Sequence, residues 1–296
     1  MLYNNYILKG YIGDYLWLVP IRLYLCTRFY ISTCTHVFTN SYIHITMSAK
    51  IITLANYKGG VSKTTSTASI GACLAMKGKK VLLIDLDGQA NLTLYYVPNE
   101  NDIDLCVFDS LVSGEPLPIR NIRENLDLVP SSLEMASAEI ALTNLLAREQ
   151  LLTNLLEPIK ENYDYILIDC PPSLGIVTTN AFLAADEIIV PMTPELLPLK
   201  GMRMLDSFVL SLQKIKPSLH LSGVFIARYN HRKLNKVVEQ AVKDRYNNII
   251  MYTRIRENIA LAESAGSGMS IFEYDPQSNG AADYLALTEE ILSRNL

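Results

Sequence analysis

The chain has one tryptophan, no paired cysteines, no excess of positive charge and no long uninterrupted apolar run. Each absence narrows the reading. The five cysteines (26, 34, 73, 106 and 170) show neither disulfide-framework nor metal-finger spacing, which points to reduced thiols and a cytoplasmic protein. A formal net charge of −4 gives no global attraction to nucleic acid, so any such binding must come from a local patch. The longest apolar stretch near the N-terminus, Tyr15–Ile21, is far short of the roughly 20 residues of a spanning helix. No internal repeat, heptad pattern or low-complexity linker is present. What remains is globular: 296 residues, 49% hydrophobic and 19% charged, enough to bury a full core.

Residues 1–46 differ from the rest. They hold seven of the 17 tyrosines and only four charges, Lys9, Asp14, Arg22 and Arg28. Asp14, Pro20 and Arg22 interrupt the apolar stretch, and the run after Arg28 is rich in Thr, Ser, His and Asn, which fits no targeting class. The expectation is that Met47 is the natural start and that 1–46 are translated upstream sequence or a disordered extension. An intact mass that included residue 1 would refute it.

From residue 50, continuous apolar runs alternate with helical patterns. Strands are expected at Ile51–Ala55, Val81–Asp85, Leu126–Pro130, Tyr165–Asp169, Glu187–Pro191, Gly223–Ala227 and Ile249–Tyr252. Runs without polar alternation suit strands buried on both faces of a parallel sheet. Helices are expected at Thr64–Lys77, capped by Gly78, at the leucine-rich Ala138–Glu157, around 231–246, and at Gly280–Arg294. This alternation predicts one doubly wound α/β domain over 47–296, a mostly parallel sheet flanked by helices, with ligands at the C-terminal strand ends.

Lys58-Gly59-Gly60-Val61-Ser62-Lys63-Thr64-Thr65 follows the first strand and opens a helix. A strand, a glycine turn and Lys-Thr at a helix start form a phosphate cradle: backbone N–H groups and the helix N-terminus face an anion. Lys63 can reach the outer phosphates and the Thr64 hydroxyl can ligate Mg²⁺. The usual Gly-x-x-x-x-Gly-Lys-Thr pattern fails at both glycines, where Tyr57 and Ser62 stand, and a second lysine, Lys58, is present instead. Ser62 requires either a left-handed backbone, costing an L residue about 1–2 kcal/mol, or a negative φ. Asp85, Asp87 and Asp169 end two strands where carboxylates can hold Mg²⁺ and orient a water. One such Asp reads as a turn or helix cap; three beside a lysine loop read as a metal–nucleotide site.

Together with Asp85-Leu86-Asp87-Gly88-Gln89-Ala90-Asn91, Asp169-Cys170-Pro171-Pro172-Ser173-Leu174-Gly175, Thr178-Thr179-Asn180-Ala181, Pro194-Glu195-Leu196-Leu197-Pro198-Leu199-Lys200-Gly201 and Arg256–Ser264, the loop resembles the ParA/Soj family of deviant Walker-A P-loop ATPases. The likeness covers residues 49–296. It implies a nucleotide site of Gly59, Gly60, Val61, Ser62, Lys63, Thr64, Thr65 and Asn230 for ATP, with Thr64, Asp85 and Asp169 serving Mg²⁺. It implies Lys58, Lys63 and Asp87 as catalytic: Lys58 reaches the partner's ATP across a dimer, Lys63 binds the β- and γ-phosphates, and Asp87 positions the water. Hydrolysis is expected to be slow. Gly88, where the family commonly has proline, is expected only to loosen the switch loop.

The C-terminal helix is acidic, against a membrane-cycling MinD-like protein, which needs a basic amphipathic end. Cys106 and Cys170 lack the glycine-rich setting of the cluster ligands in nitrogenase-type iron proteins. In the 231–246 helix, Leu234, Val237, Val238, Ala241 and Val242 share one face, with Arg232, Lys236 and Lys243 opposite. By itself that basic face reads equally as solvated surface or as DNA contact. The resemblance implies non-specific DNA binding through Arg232, Lys236, Lys243 and Arg256, a homodimer formed with ATP, a ParB-like centromere-binding activator, no membrane partner, nucleoid association and a role in plasmid or chromosome partitioning. A positioning ATPase for protein cargo, or a degenerate nucleotide binder, stays open.

Overall fold

The apolar runs assemble into one eight-stranded sheet in a computed structural model that describes residues 48–194, 198–230 and 232–294. Residues 1–46, Met47 and 195–197 of the 194–201 segment lie outside the described residues, as does the side chain of Leu234. The strands are β1 Lys50–Leu54, β2 Val81–Asp85, β3 Arg120–Arg123, β4 Leu126–Val129, β5 Tyr165–Asp169, β6 Glu187–Met192, β7 Leu221–Tyr229 and β8 Ile250–Arg256. Their order is β3-β4-β2-β5-β1-β6-β7-β8, and every neighbouring pair except β3–β4 is parallel. The expected doubly wound α/β sheet is therefore observed.

Helices cover both faces, which is why the strands carry no polar alternation. On one face lie α1 Lys63–Met76, α2 Asn91–Tyr96 and, at the C-terminus, α11 Asn279–Ser293; Ile70, Leu74, Leu92, Tyr284, Leu287 and Ile291 pack there on Leu83 and Leu167. The other face carries α3 Val107–Ser113, α4 Ala138–Ala141, α5 Leu151–Leu156, α6 Ile176–Ala184, α7 Pro198–Leu212 and α8 Lys233–Tyr246, over Leu82, Ile84, Ile166 and Ile168. Two short helices, α9 Ala260–Gly266 and α10 Ile271–Tyr274, precede α11. Gly78 ends α1 with φ +78° and donates its N–H to the Ala75 carbonyl at 2.9 Å, the expected cap.

Three expectations need correction. The single helix Ala138–Glu157 is instead α4, a run of turns and α5. Ala147 has φ +50°, and the Asn180 side chain of α6 takes the Leu152 N–H at 3.0 Å and donates to the Arg148 carbonyl at 2.7 Å, replacing helical bonds with tertiary ones. Strand β3 was not expected; Arg-Asn-Ile-Arg is a half-exposed antiparallel edge strand without an apolar signature. Val237 is 65% exposed and leaves the apolar face of α8, whose buried residues include Val238 and Val242.

Candidate nucleotide site

The central strand β1 places the 57–62 loop at the C-terminal edge of the sheet, with α1 beginning at Lys63. Asn56 pins the start of the loop: its amide donates to the Pro191 carbonyl at 2.8 Å and its side-chain oxygen accepts the Lys58 N–H at 3.0 Å. Ser62 has φ +70° and ψ 25°, so the first of the two conformations open to it is the one adopted. Its carbonyl accepts from the Ser66 N–H at 3.0 Å and the Ser66 hydroxyl at 2.6 Å, and Ser66 also meets the buried Tyr284 hydroxyl at 2.9 Å. The α11 helix, docked on α1, thereby backs the loop.

Lys63 is only 6% exposed, with its ammonium 3.4 Å from the Lys58 carbonyl and no ion pair to a described residue. A buried cation so weakly satisfied is set for an anion. Parallel pairing aligns Asp85 of β2 with Asp169 of β5. The Thr64 hydroxyl donates to Asp169 Oδ2 at 2.6 Å, while Asp169 Oδ1 is buried without a hydrogen bond to a described residue. Asp85 accepts the Asp87 N–H at 3.0 Å on one oxygen, and the Thr93 N–H and hydroxyl, each at 2.8 Å, on the other. Burial pushes Asp85 up to about 6, against the pull of these hydrogen bonds. Burial, then the charge of Asp85, holds Asp169 well above the usual carboxylate range. Two carboxylates adjacent in a dry place, one with an orphaned oxygen, call for a hard cation. Thr64 and Asp169 supply oxygen donors, and Asp85 lies beside them, a set that fits Mg²⁺.

These groups bound a cavity of about 740 Å³ lined by Gly59, Gly60, Ser62, Lys63, Thr64, Thr65 and Asp87. Of the sequence candidates, Val61 is buried behind the loop at 2% exposure, and Asp85 and Asp169 lie behind the wall at 0%. Lys58 is exposed at the loop, and neither it nor Asn230 is among the lining residues. Asn230 instead hydrogen-bonds Glu257 at 3.3 Å and Asn235 at 2.6 Å. Asp87 accepts the Gln89 N–H at 3.0 Å on one oxygen, and the other has no hydrogen bond to a described residue. Gln89, Asn91 and Pro172 of the quoted motifs complete part of the wall, and no local sequence signal marks the rest, Leu94 and Tyr95 of α2, Pro98, Arg228, Ala265 and Gly266. Tertiary folding alone brings them together.

Gly88 corrects a further expectation. A Cβ there would stand 2.8 Å from the Ala136 backbone nitrogen, so Gly88 closes the switch loop against the 133–137 turn rather than loosening it. Cys170 is fully buried and its thiol is pushed well up by burial, as a small core residue.

The basic segment is divided. Arg232 and Lys236 are exposed, with no ion pair to a described residue. Lys243 pairs at 2.7 Å with the buried Glu239, which also pairs with Arg254. Arg256 grips the nearly buried Asp283 at 2.6 Å. Lys243 and Arg256, both expected on a DNA face, are thus ion-paired to carboxylates of the fold while their side chains stay 43% and 44% exposed. Among the described residues no helix is long and apolar enough to cross a membrane.

A family described as AAA domain matches residues 49–221. The chain is 41% identical to the sporulation initiation inhibitor protein Soj of Bacillus subtilis, over 82% of this chain and 98% of that protein. It is 36% identical to the chromosome-partitioning ATPase Soj of Treponema pallidum, over 83% and 98%. Among solved structures, cobyrinic acid a,c-diamide synthase of Mycobacterium smegmatis with bound ADP and magnesium superposes with a TM-score of 0.73 at 30% identity, over 83% of this chain and 95% of that one.

Proposed function

This chain belongs to the ParA/Soj family of P-loop ATPases, and we propose from that premise that it is a Mg-ATP-dependent dimerising switch for DNA partitioning. The observation that carries the reading is the buried Lys63, without an ion pair to a described residue, on the wall of a cavity large enough for a nucleotide, with the orphaned Asp169 oxygen behind that wall. The loop N–H groups and Lys63 would hold the outer phosphates, and Thr64 with Asp169, supported by Asp85, would hold Mg²⁺. Held there, the ion would supply charge neutralisation to the phosphate oxygens. Asp87, with one oxygen fixed by Gln89 and one open, orients a water for attack on the terminal phosphate.

Lys58 sits at the loop and outside the cavity wall, a placement that suits a cation delivered to a second subunit's nucleotide. A cation supplied in trans stabilises transition-state charge only when two copies meet, so ATP holds the dimer and slow hydrolysis releases it. Arg232 and Lys236, doubled across a dimer, contribute a salt-sensitive, sequence-independent grip on DNA. A ParB-like partner stimulates turnover, and the working location is the cytoplasmic nucleoid. One observation favours a second reading, a switch that positions protein cargo: Lys243, Arg254 and Arg256 are spent on carboxylates, which thins the basic face.

Titration of the wild type and Lys63→Ala with Mg-ATP tests the nucleotide reading. Binding by the wild type and at least 100-fold weaker binding by the variant is expected, since a buried charge-assisted contact is lost. No binding by the wild type would end the ATPase reading.

A further inference from the structure

Beyond the phosphate loop, the same cavity carries one arginine on its wall, Arg228. It is the penultimate residue of β7, in a stretch where the register with β8 shifts between Ile226 and Tyr229. Its φ is +54°, in the left-handed region that L side chains rarely adopt. A bulge with a left-handed residue re-aims a side chain out of the strand's alternation. The neighbours show what the bulge preserves: Ala227 and Tyr229 stay buried at 0% and 8%.

Local packing does not account for this backbone. The Arg228 guanidinium lies 3.7 Å from Glu257, and the two side chains are 58% and 54% exposed. An ion pair that long and that wet contributes little. Strained residues persist where they serve a ligand, and the wall of the ligand space here is of mixed chemistry. Gly60, Lys63 and Thr64 bring phosphate-binding groups to it, and Leu94, Tyr95, Pro98 and Ala265 bring an apolar and aromatic character. A purine nucleoside needs that kind of surface, with a planar donor to orient it.

We propose that Arg228 is a positioning residue for the nucleoside half of the bound nucleotide, its guanidinium lying against the purine and ribose while the loop takes the phosphates. The proposal rests on the ATP reading above. A guanidinium is planar, delocalised and weakly hydrated, so it stacks on a heteroaromatic face where a lysine ammonium does not.

The test uses the full chain and Arg228→Met, Arg228→Lys and Arg228→Gly, titrated with Mg-ATP, Mg-ADP and inorganic tripolyphosphate with magnesium. Both Arg228→Met and Arg228→Lys are expected to weaken ATP and ADP alike by about 5- to 30-fold, the range of a partly desolvated cation–ring contact, with tripolyphosphate affinity within twofold of wild type. Arg228→Gly is expected to bind ATP as weakly, yet to melt at or above the wild-type temperature without ligand, which a purely structural arginine would not do. Wild-type ATP affinity in Arg228→Met would overturn the proposal. An equal loss for tripolyphosphate would also overturn it by placing Arg228 on the phosphates. Loss of duplex DNA retention with nucleotide affinity intact would overturn it in favour of a DNA contact. Failure of the wild type itself to bind ATP would instead strike the underlying ATP reading.

Discussion

Substituting glycine for Ser62 isolates the strain stored in the phosphate loop. Ser62 sits at φ +70° and ψ 25°, and its side chain caps nothing. The left-handed conformation costs an L residue about 1–2 kcal/mol that glycine does not incur. Against this, glycine loosens the unfolded chain and gives back about 0.4–1 kcal/mol. The two bonds to Ser66 come from the backbone carbonyl and survive the change. Ser62→Gly is therefore expected to stabilise the nucleotide-free protein by about 0.5–1 kcal/mol, a rise of about 1–4 °C for a domain of this size. Denaturant melts with unchanged slope give the first quantity and calorimetry the second. Mg-ATP affinity is expected to be equal or higher, since the loop keeps its shape and loses a side chain from the cavity wall. A variant destabilised by 1 kcal/mol or more would refute the reasoning, because it would mean the serine side chain makes a contact worth more than its backbone costs.

Three further outcomes follow from the same geometry. Because burial raises Asp85 to about 6 from 3.8, its contribution to stability is full below pH 4 and is lost as pH rises through 6. The nucleotide- and metal-free protein is thus expected to lose up to about 3 kcal/mol from this group between pH 4 and pH 7.5, at 1.36 kcal/mol per pH unit; denaturant melts of wild type and Asp85→Asn check it, and an identical pH slope in the two proteins would contradict it. Gly88→Ala is expected to cost about 1–3 kcal/mol by overpacking, because its Cβ would meet the Ala136 nitrogen at 2.8 Å; a thermal melt equal to wild type would show that the turn yields freely. Charge reversal at Arg232 and Lys236 is expected to weaken binding to random duplex and to reduce the log–log salt slope by about 2 per subunit, read by fluorescence anisotropy at several salt concentrations, whereas an unchanged slope would place DNA elsewhere or favour protein cargo.

What could be read in advance was whatever the local chain dictates. β2 and β5 were legible to the residue, because doubly buried strands are continuous apolar runs and both end on a carboxylate. The phosphate loop was legible because its chemistry is contiguous. The Ala138–Glu157 break was not, since leucine-rich sequence favours a helix until the Asn180 amide, 28 residues from Leu152, captures its backbone. Strand β3 was hidden by its position at a sheet edge, where nothing demands apolar residues. Arg228 was hidden more deeply: a bulge and a left-handed φ have no signature in an Ala-Arg-Tyr sequence, and its cavity neighbours lie on α2 and α9. The ion pairs of Lys243 and Arg256 were obscured for a related reason. Helical periodicity shows which way Lys243 leans but not that Glu239 is waiting for it, and nothing local to Arg256 at the end of β8 marks Asp283 on α11 as its partner.

The central claim is that nucleotide controls pairing of two copies through Lys58. Molar mass by light scattering, on wild type and Lys58→Ala with Mg-ATP or Mg-ADP, tests it most directly. The account predicts a mass that doubles for the wild type in Mg-ATP, stays single in Mg-ADP, and stays single in both for Lys58→Ala, although that variant still binds ATP. A wild type with the same mass in both nucleotides, or a Lys58→Ala protein that pairs as well as wild type, would contradict it.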